Sequence, residues 1–279
     1  MKKEEPKKQF LLEKLFEKMM EAGKLSPEDK KILRDAINHE IREKNFKVAI
    51  IGQSGVGKTT TLNAIFGLNG YVHNIKEETK EVEEKTFPME DGFKLAVYDM
   101  PGLNNDIDKD IEYEKLYQQI LPDCDVIVYI INAHSKDFGE DCRILKNIIL
   151  PICKNSIDPN NGKNKSDNIV LAVNKVDTIG ESVDPNNPKL KWDILSNLPT
   201  PELQHCIQTR LNDIGDKLIS ENLVGKDAIP VEKVVFYSAV FNYNLVAFLK
   251  AIADTPRGIF WAGTVGPERI GKWKNFVIK

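Results

Sequence analysis

Residues 52–67, GQSGVGKTTTLNAIFG, hold three glycines in their first six positions, followed by a lysine, three threonines and an apolar helical pattern. Glycine lets a loop curl tightly enough for several backbone N–H groups to point inward at an anion. A helix that begins at such a loop turns the positive end of its dipole toward the same anion. The stretch therefore predicts a phosphate-binding loop between a strand and a helix.

The spacing Gly52-x-x-x-x-Gly57-Lys58-Thr59 is that of a nucleotide phosphate loop, and the apolar run 48–51 supplies the strand before it. In this pattern the lysine reaches the β- and γ-phosphates, and the threonine hydroxyl binds Mg²⁺. The pattern alone does not separate ATP from GTP. The predicted nucleotide-binding residues of the loop are Gly52, Ser54, Gly55, Val56, Gly57, Lys58, Thr59 and Thr60.

Two further stretches close predicted strands with polar or glycine residues. Asp99, in DMPG, can hold Mg²⁺ through water, and Gly102 can offer its N–H to a γ-phosphate. Asp177, in NKVD, can accept two hydrogen bonds from N1–H and N2–H₂ of guanine, whereas adenine has no matching pair of donors. Together they indicate GTP as the nucleotide.

Ser238 and Ala239 close the last predicted strand, where a backbone N–H can meet guanine O6. Short β-branched runs alternate with helical stretches along the chain, which indicates a buried, mostly parallel sheet in an α/β fold. An extra strand at 80–87 is expected to pair antiparallel with 93–98. The apolar runs are KVAII (47–51), KLAVYDM (94–100), DVIVYIINA (125–133), NIVLAVNK (168–175) and KVVFYSA (233–239).

Composition narrows the function further. The 279 residues carry a formal net charge of −3, which does not favour a nucleic-acid binder. The chain has no run of eighteen apolar residues and no apolar signal core in its first residues, so we expect no transmembrane segment and a cytoplasmic protein. The cysteines form no CxxC pair, so reduced thiols are predicted rather than a metal site; they are Cys124, Cys142, Cys153 and Cys206.

Four stretches, GQSGVGKT, DMPG, NKVD and YSA, in this order resemble the G1, G3, G4 and G5 boxes of the Era/septin-like branch of translation-factor-type P-loop GTPases. The chain is similar over about 46–254 to septins, immunity-related GTPases and bacterial Era-like GTPases. The resemblance implies a six-stranded sheet, with GTP or GDP and Mg²⁺ at the carboxyl ends of the strands. It also implies that Lys175 covers the guanine and that Asn174 ties the base turn to the phosphate loop.

The resemblance further implies a G2 threonine that binds Mg²⁺ when a γ-phosphate is present. Thr79 is the first choice, and Thr86 is the alternative inside the predicted strand. The predicted catalytic residues are then Lys58, Thr79 and Gly102, and the predicted metal ligands are Thr59, Thr79 and Asp99.

The position after Gly102 is Leu103, where Ras-like enzymes have a glutamine that orients water. Slow intrinsic hydrolysis is therefore expected, with a nucleotide-dependent homodimer or another protein completing the site. Gly55 stands where potassium-dependent relatives have asparagine, which disfavours potassium activation. A septin-like structural module with little turnover is the alternative, and a ribosome or unidentified effector is a further possible partner.

The predicted domains are a helical hairpin at 1–44, a GTPase domain at 45–255 and a tail or linker at 256–279. Inside the middle domain, 155–168 is expected to be an exposed loop and 180–201 an irregular insertion that packs Trp192 beneath itself. His134 follows the fourth strand of the sheet, where two interpretations stay open: a loop histidine, which is favoured, and a residue that approaches the site.

Overall fold

The computed structural model describes residues 45–66, 83–88, 94–100, 107–135, 138–158 and 162–255. The chain divides into two compact units, one of residues 1–46 with 86–95 and one of residues 47–85 with 96–279. Most described residues belong to the second unit. The predictions of a hairpin at 1–44 and a tail at 256–279 lie outside the described residues.

A six-stranded sheet has the strand order β2-β3-β1-β4-β5-β8. The pairs β1–β4, β4–β5 and β5–β8 are parallel. The predicted six-stranded, mostly parallel sheet is therefore confirmed. The strands are β1 (Asn45–Ile51), β2 (Glu83–Pro88), β3 (Lys94–Asp99), β4 (Val126–Asn132), β5 (Ile169–Asn174) and β8 (Val234–Phe236), and a separate two-stranded sheet consists of β6 (Trp192–Asp193) and β7 (Leu198–Pro199).

Helices follow most of the strands, as the alternating pattern predicts. A π-helical turn, Leu145–Ile149, joins the helix Gly139–Ile144 to the helix Leu150–Asn155, so the predicted helix after β4 is interrupted in its middle. In the described part of the chain, no helix is both long and apolar enough to span a membrane. The helices are α1 (Lys58–Phe66), α2 (Ile107–Ile120), α3 (Gly139–Ile144), α4 (Leu150–Asn155), α5 (Ile179–Val183), α6 (Pro201–Ser220) and α7 (Leu245–Ala253).

The centre of the sheet is buried on both faces. Every residue of β5 is buried, and so is every residue of β4 up to Ile131. Continuous burial of this kind is typical of parallel strands covered by helices, and it explains why these strands have no alternating polar residues. The polar residues come where the strands end, at Asn132 and Asn174.

The segment 155–168 is only in part the exposed loop that its composition suggests, because Gly162, Lys163 and Asn164 are exposed whereas other polar residues are buried. Asp158 and Asn168 are both 1% exposed, and Asn168 Nδ2 donates to Asp158 Oδ2 and to the Asp125 carbonyl, both at 2.9 Å. Lys165 is also buried and donates to the Cys124 carbonyl at 2.9 Å. These polar residues are buried because they bond to one another and to backbone groups.

The segment 180–201 is partly regular. It contains α5, a 3₁₀ turn at Pro188–Leu190 and the β6–β7 pair. The Trp192 ring stacks on Phe241 at a centroid distance of 4.8 Å and meets Tyr243 edge-on at 5.0 Å. Trp192 therefore packs against the loop that follows β8 and not only beneath its own insertion.

Candidate nucleotide-binding site

The phosphate loop follows β1 and leads directly into α1. Its three glycines have positive φ angles, 151° at Gly52, 74° at Gly55 and 95° at Gly57, and side chains rarely tolerate such values. The Lys58 ammonium group lies over the loop and donates to the carbonyls of Gly52 at 3.0 Å and Gln53 at 3.3 Å. The lysine is thus held at the mouth of a curled loop at a helix N-terminus, which is the geometry of an anion site.

Two of these glycines are also required by close neighbours. A Cβ atom on Gly52 would lie 2.5 Å from the Ile130 carbonyl oxygen. A Cβ atom on Gly57 would lie 2.5 Å from Asn174 Nδ2. The loop is therefore packed closely against the ends of β4 and β5, and larger residues at these positions would push it away from them.

Asn174, the last residue of β5, joins three segments. Its Nδ2 atom donates to the Val56 carbonyl in the phosphate loop at 2.9 Å, and its Oδ1 atom accepts from the Ala239 N–H at 3.1 Å. Asn174 is 2% exposed, so both bonds are shielded from water. The predicted tie between the base turn and the phosphate loop is confirmed.

Asp177 lies in a tight turn after β5. Lys175 begins this turn in the left-handed region, with φ 64°, and a single 3₁₀ turn, Val176–Thr178, follows. Asp177 Oδ1 is buried and has no hydrogen-bond partner within the described residues. A buried carboxylate oxygen without a partner is costly, so this atom is suited to a ligand that brings a donor.

The loop after β8 completes this edge of the sheet. Ser238 is fully buried, and its hydroxyl accepts from the Phe241 N–H at 3.3 Å. The Ala239 N–H, predicted to reach guanine O6, donates instead to Asn174, so an O6 contact would have to share or replace that bond. The hydroxyls of Tyr237, the first residue after β8, and Thr61 in α1 are 2.6 Å apart, so this contact joins the end of β8 to α1.

The region that contains this site matches a known family of GTPases. Residues 47–175 match the model described as "50S ribosome-binding GTPase", and this range contains the phosphate loop and Asn174. Over these residues the chain is similar to Era-like GTPases, and its mostly parallel sheet is that of a P-loop GTPase domain. The four motifs in their order and the mostly parallel sheet agree with this assignment.

Curated relatives of the GTPase domain include the GTPase Era of Pseudomonas aeruginosa, which is 28% identical over 183 residues. That match covers 63% of this chain and 53% of the relative. The GTPase Era of Clostridium botulinum is 31% identical over 119 residues, or 40% of each protein. The chain therefore spans about half the length, or less, of these relatives.

Among solved structures, one similar to this chain is Era in complex with MgGDPNP and a segment of 16S ribosomal RNA, with 21% identity and a TM-score of 0.49. That match covers 76% of this chain and 57% of the Era chain. Another is LeoA, a bacterial dynamin GTPase from ETEC, with 16% identity and a TM-score of 0.48. It covers 95% of this chain and 44% of LeoA.

His134, favoured from the sequence as a loop histidine with an approach to the site as the alternative, contacts the turn that carries Asp177. His134 Nδ1 lies 2.6 Å from the Thr178 hydroxyl, which donates to the Lys175 carbonyl at 2.9 Å. Burial first, and then the nearby Lys175 charge, lower the pKa of His134 below its usual 6.5. His134 is thus part of the wall of the site, and a sequence offers no pattern that pairs it with Thr178.

Several predicted site residues lie outside the described residues, namely Thr79, Gly102 and Leu103. Asp99 ends β3, as predicted, and Thr86 lies within β2, where it was expected as the alternative to Thr79. In the phosphate loop and at the start of α1, the GTPase domain exposes Ser54 and Thr60 and half-buries Thr59.

The residues of the GTPase domain are compatible with Mg²⁺ held in the usual way for a nucleotide site. Among the described residues, no group of three His, Cys, Asp or Glu side chains could hold a metal ion. Mg²⁺ keeps several waters and is usually bound by one or two protein oxygens with substrate phosphates, so no such group is needed. The Thr59 hydroxyl, in the first turn of α1, is the described donor suited to this role.

The three buried cysteines of the GTPase domain are not suited to nucleophilic or metal-binding chemistry. All four are free thiols, and three are buried. Burial raises the pKa of Cys124 and Cys153 to about 12 and that of Cys142 to about 11. These thiols stay protonated at neutral pH, and only a thiolate is an effective nucleophile or metal ligand.

Proposed function

We propose that this protein binds GTP and GDP with Mg²⁺ and hydrolyses GTP to GDP and phosphate. The observation that carries the proposal is Asp177 Oδ1, a buried carboxylate oxygen with no partner among the described residues. It lies three residues after Asn174, which is bonded to the phosphate loop. A base held at Asp177 and phosphates held at the loop would therefore belong to one nucleotide.

The base end of the site favours guanine on chemical grounds. The Asp177 carboxylate can accept from N1–H and N2–H₂ of guanine, whereas adenine has no such pair of donors. Lys175 would lay its alkyl stem over the base, and Ser238 and Ala239 would border O6. We propose these four residues, with Asn174, as the guanine-binding set.

The phosphate end of the site would act mainly by electrostatics. Backbone N–H groups of the curled loop, the Lys58 ammonium group and the N-terminus of α1 would stabilise charge on the phosphates during in-line attack by water. Bound Mg²⁺ would neutralise charge on the β- and γ-phosphate oxygens. Thr59 and Asp99 are the proposed resting ligands, and Thr79 is proposed to join them in the GTP state.

Turnover by the isolated chain is expected to be slow. Leu103 cannot orient or polarise water, so we propose that a second copy or another protein completes the site. Thr79 and Gly102 would order two loops only when a γ-phosphate is present, which would make the protein a switch or an assembly GTPase. We place this cycle in the cytoplasm.

The second candidate is a structural module that binds GTP or GDP and rarely hydrolyses GTP. Leu103 favours it, because no water-orienting side chain follows Gly102 directly. A ribosomal partner is a further proposal, supported by the description of the matching family. Co-sedimentation with ribosomal subunits in GTP and in GDP would test that partner.

The deciding experiment is multiple-turnover phosphate release with GTP and with ATP, over a range of protein concentrations. Lys58→Ala should abolish phosphate release. Lys154→Ala is the matched control, because Lys154 is an exposed lysine on α4. Specific turnover that rises with protein concentration supports activation by a second copy. Tight GTP binding without release supports the structural module, and equal use of ATP would overturn the assignment of Asp177.

A further inference from the structure

We propose that His134 is a positioning residue for guanine recognition, acting through Thr178 on the turn that carries Asp177. This inference rests on the proposed function, since it concerns how the same site selects its base. His134 comes two residues after the end of β4 and Thr178 comes from the turn after β5, so the contact joins the ends of two neighbouring strands.

The hydrogen bonds determine which nitrogen of the ring carries the proton. The Thr178 hydroxyl donates its one hydrogen to the Lys175 carbonyl at 2.9 Å, so it must accept from His134 Nδ1 at 2.6 Å. His134 Nε2 is then the acceptor, and Asn132 Nδ2 lies 3.3 Å from it. A neutral ring with its proton on Nδ1 satisfies all of these contacts at once.

The loop that carries His134 is itself anchored to α6. Arg210 Nε donates to the Ala133 carbonyl at 2.8 Å, and Arg210 Nη2 donates to the Ser135 carbonyl at 2.7 Å. These carbonyls flank His134 on both sides. The Ala133 N–H also donates to the Asn174 carbonyl at 2.8 Å. The histidine is therefore a fixed support and not a freely moving loop side chain.

The turn from Lys175 to Thr178, which carries Asp177, needs such a support. Lys175 is a non-glycine residue with a φ of 64°, a conformation that persists only where the surroundings hold it. Its carbonyl accepts from both the Thr178 N–H, at 3.1 Å, and the Thr178 hydroxyl. Asp177 lies inside this closed turn, so the direction of its carboxylate follows the turn. The His134 contact fixes the hydroxyl that closes it.

The test compares binding of GDP and inosine diphosphate to the full chain. Inosine diphosphate keeps N1–H and lacks the 2-amino group, so it loses one of the two bonds to Asp177. The wild type should prefer GDP by about 10- to 100-fold, the usual effect of a lost hydrogen bond to a charged group. In His134→Ala that preference should fall by about 5- to 10-fold, the size of coupling that contacting residues show.

Matched variants separate positioning from a general loss of structure. His134→Asn places an amide N–H at the position of Nδ1 and should restore most of the preference, whereas His134→Gln places it at the position of Nε2 and should not. Thr178→Val removes the hydroxyl at similar volume and should behave as His134→Ala. The control is His205→Ala. His205 lies on α6 and its side chain makes no bond to Thr178, so this variant should keep the wild-type preference for GDP.

The outcomes distinguish this inference from the proposed function. A wild type that prefers GDP, with variants that keep the full preference, overturns the role of His134 and leaves the proposed function intact. Variants that weaken GDP and inosine diphosphate equally also overturn it, because a merely structural role predicts that result. A wild type that binds both equally overturns the guanine assignment and this inference with it.

Discussion

Asn174 and Val56 lie 118 positions apart in the chain, yet the Asn174 side-chain amide donates to the Val56 carbonyl oxygen at 2.9 Å. The other end of the same amide accepts from the Ala239 N–H. One buried side chain thus fixes the distance between the loop proposed for phosphate and the turn proposed for guanine. That distance must match the length of a nucleotide.

The first prediction concerns this bridge. Asn174→Ala leaves the Val56 carbonyl and the Ala239 N–H without their partner, at a cost of about 1–3 kcal/mol for each buried group. We expect GDP affinity to fall at least about tenfold and the melting temperature to fall with it. Titration calorimetry and thermal unfolding measure the two effects. Asn212→Ala, an exposed change on α6, should alter neither.

The second prediction concerns the shape of the phosphate loop. Gly57→Ala adds a Cβ atom 2.5 Å from Asn174 Nδ2 at a residue whose φ is 95°. We expect no GDP binding at concentrations that saturate the wild type. Gly215→Ala is the control, because it lies within α6 with no neighbour within 4 Å of the new atom. Alanine there should stabilise the protein by about 0.5–1 kcal/mol. Equal GDP binding by Gly57→Ala would contradict the loop assignment.

The third prediction exchanges the recognised base. Asp177→Asn replaces one acceptor oxygen with an N–H₂ donor, which matches the C2 carbonyl of xanthine and not the 2-amino group of guanine. GDP affinity should fall and xanthosine diphosphate affinity should rise. Competition against a fluorescent nucleotide measures both. A variant that still prefers GDP would show that another residue selects the base.

The fourth prediction is a variant that lowers the stability of the fold without changing GDP affinity. Asn168→Ala removes two buried bonds, to Asp158 and to the Asp125 carbonyl, near the start of β5. The free energy of unfolding should fall by about 2–3 kcal/mol, while GDP affinity at 15 °C stays as in the wild type. Denaturant unfolding provides the measurement, with exposed Asn155→Ala as the control. A parallel loss of GDP affinity would link this cluster to the site.

The fifth prediction is a pH dependence. The pKa of His134 is lowered because the ring is half-buried and lies near Lys175; Glu181 and Asp177 oppose the shift, and Arg210 adds to it. The folded chain thus binds this proton less readily than the unfolded chain, so stability falls as pH drops through the usual value of 6.5. This contribution is fully present above that value.

Thermal unfolding between pH 5.5 and 8 tests it. The wild type should lose stability at the acidic end, and His134→Asn should lose less, because asparagine does not titrate. His205→Ala keeps His134 and should follow the wild-type curve. Identical slopes for the wild type and His134→Asn would contradict the prediction.

A feature of the site could be predicted from the sequence when its residues lie close together in the chain. The phosphate loop and the Asp177 turn need particular residue types at fixed spacing, so their patterns can be recognised in the sequence. The contact between Thr61 and Tyr237 joins residues 176 positions apart, and that between His134 and Thr178 joins residues 44 apart. No spacing rule predicts such pairs, because they follow from which strands become neighbours.

The buried residues within 155–168 were not predicted, for a different reason. Asp158, Lys165 and Asn168 are polar, and polar residues between strands usually face water. Here each side chain has a bonding partner nearby, which offsets much of the cost of burial, although Asn168 Oδ1 has no partner within the described residues. Composition reports the polarity of a side chain but not whether a partner is within reach. Irregular segments are therefore predicted less reliably than the strands on either side.

The bridge at Asn174 also sets an order of events during synthesis. The phosphate loop ends near Lys58, but its support arrives with Asn174, and the Asn174 side-chain oxygen finds its donor only at Ala239. A nascent chain emerges N-terminus first, at about 5–20 residues each second. The loop is therefore synthesised well before its supporting contacts can form. A chain whose synthesis ends before residue 239 would lack the Ala239 donor to Asn174 and hence one contact of the nucleotide site.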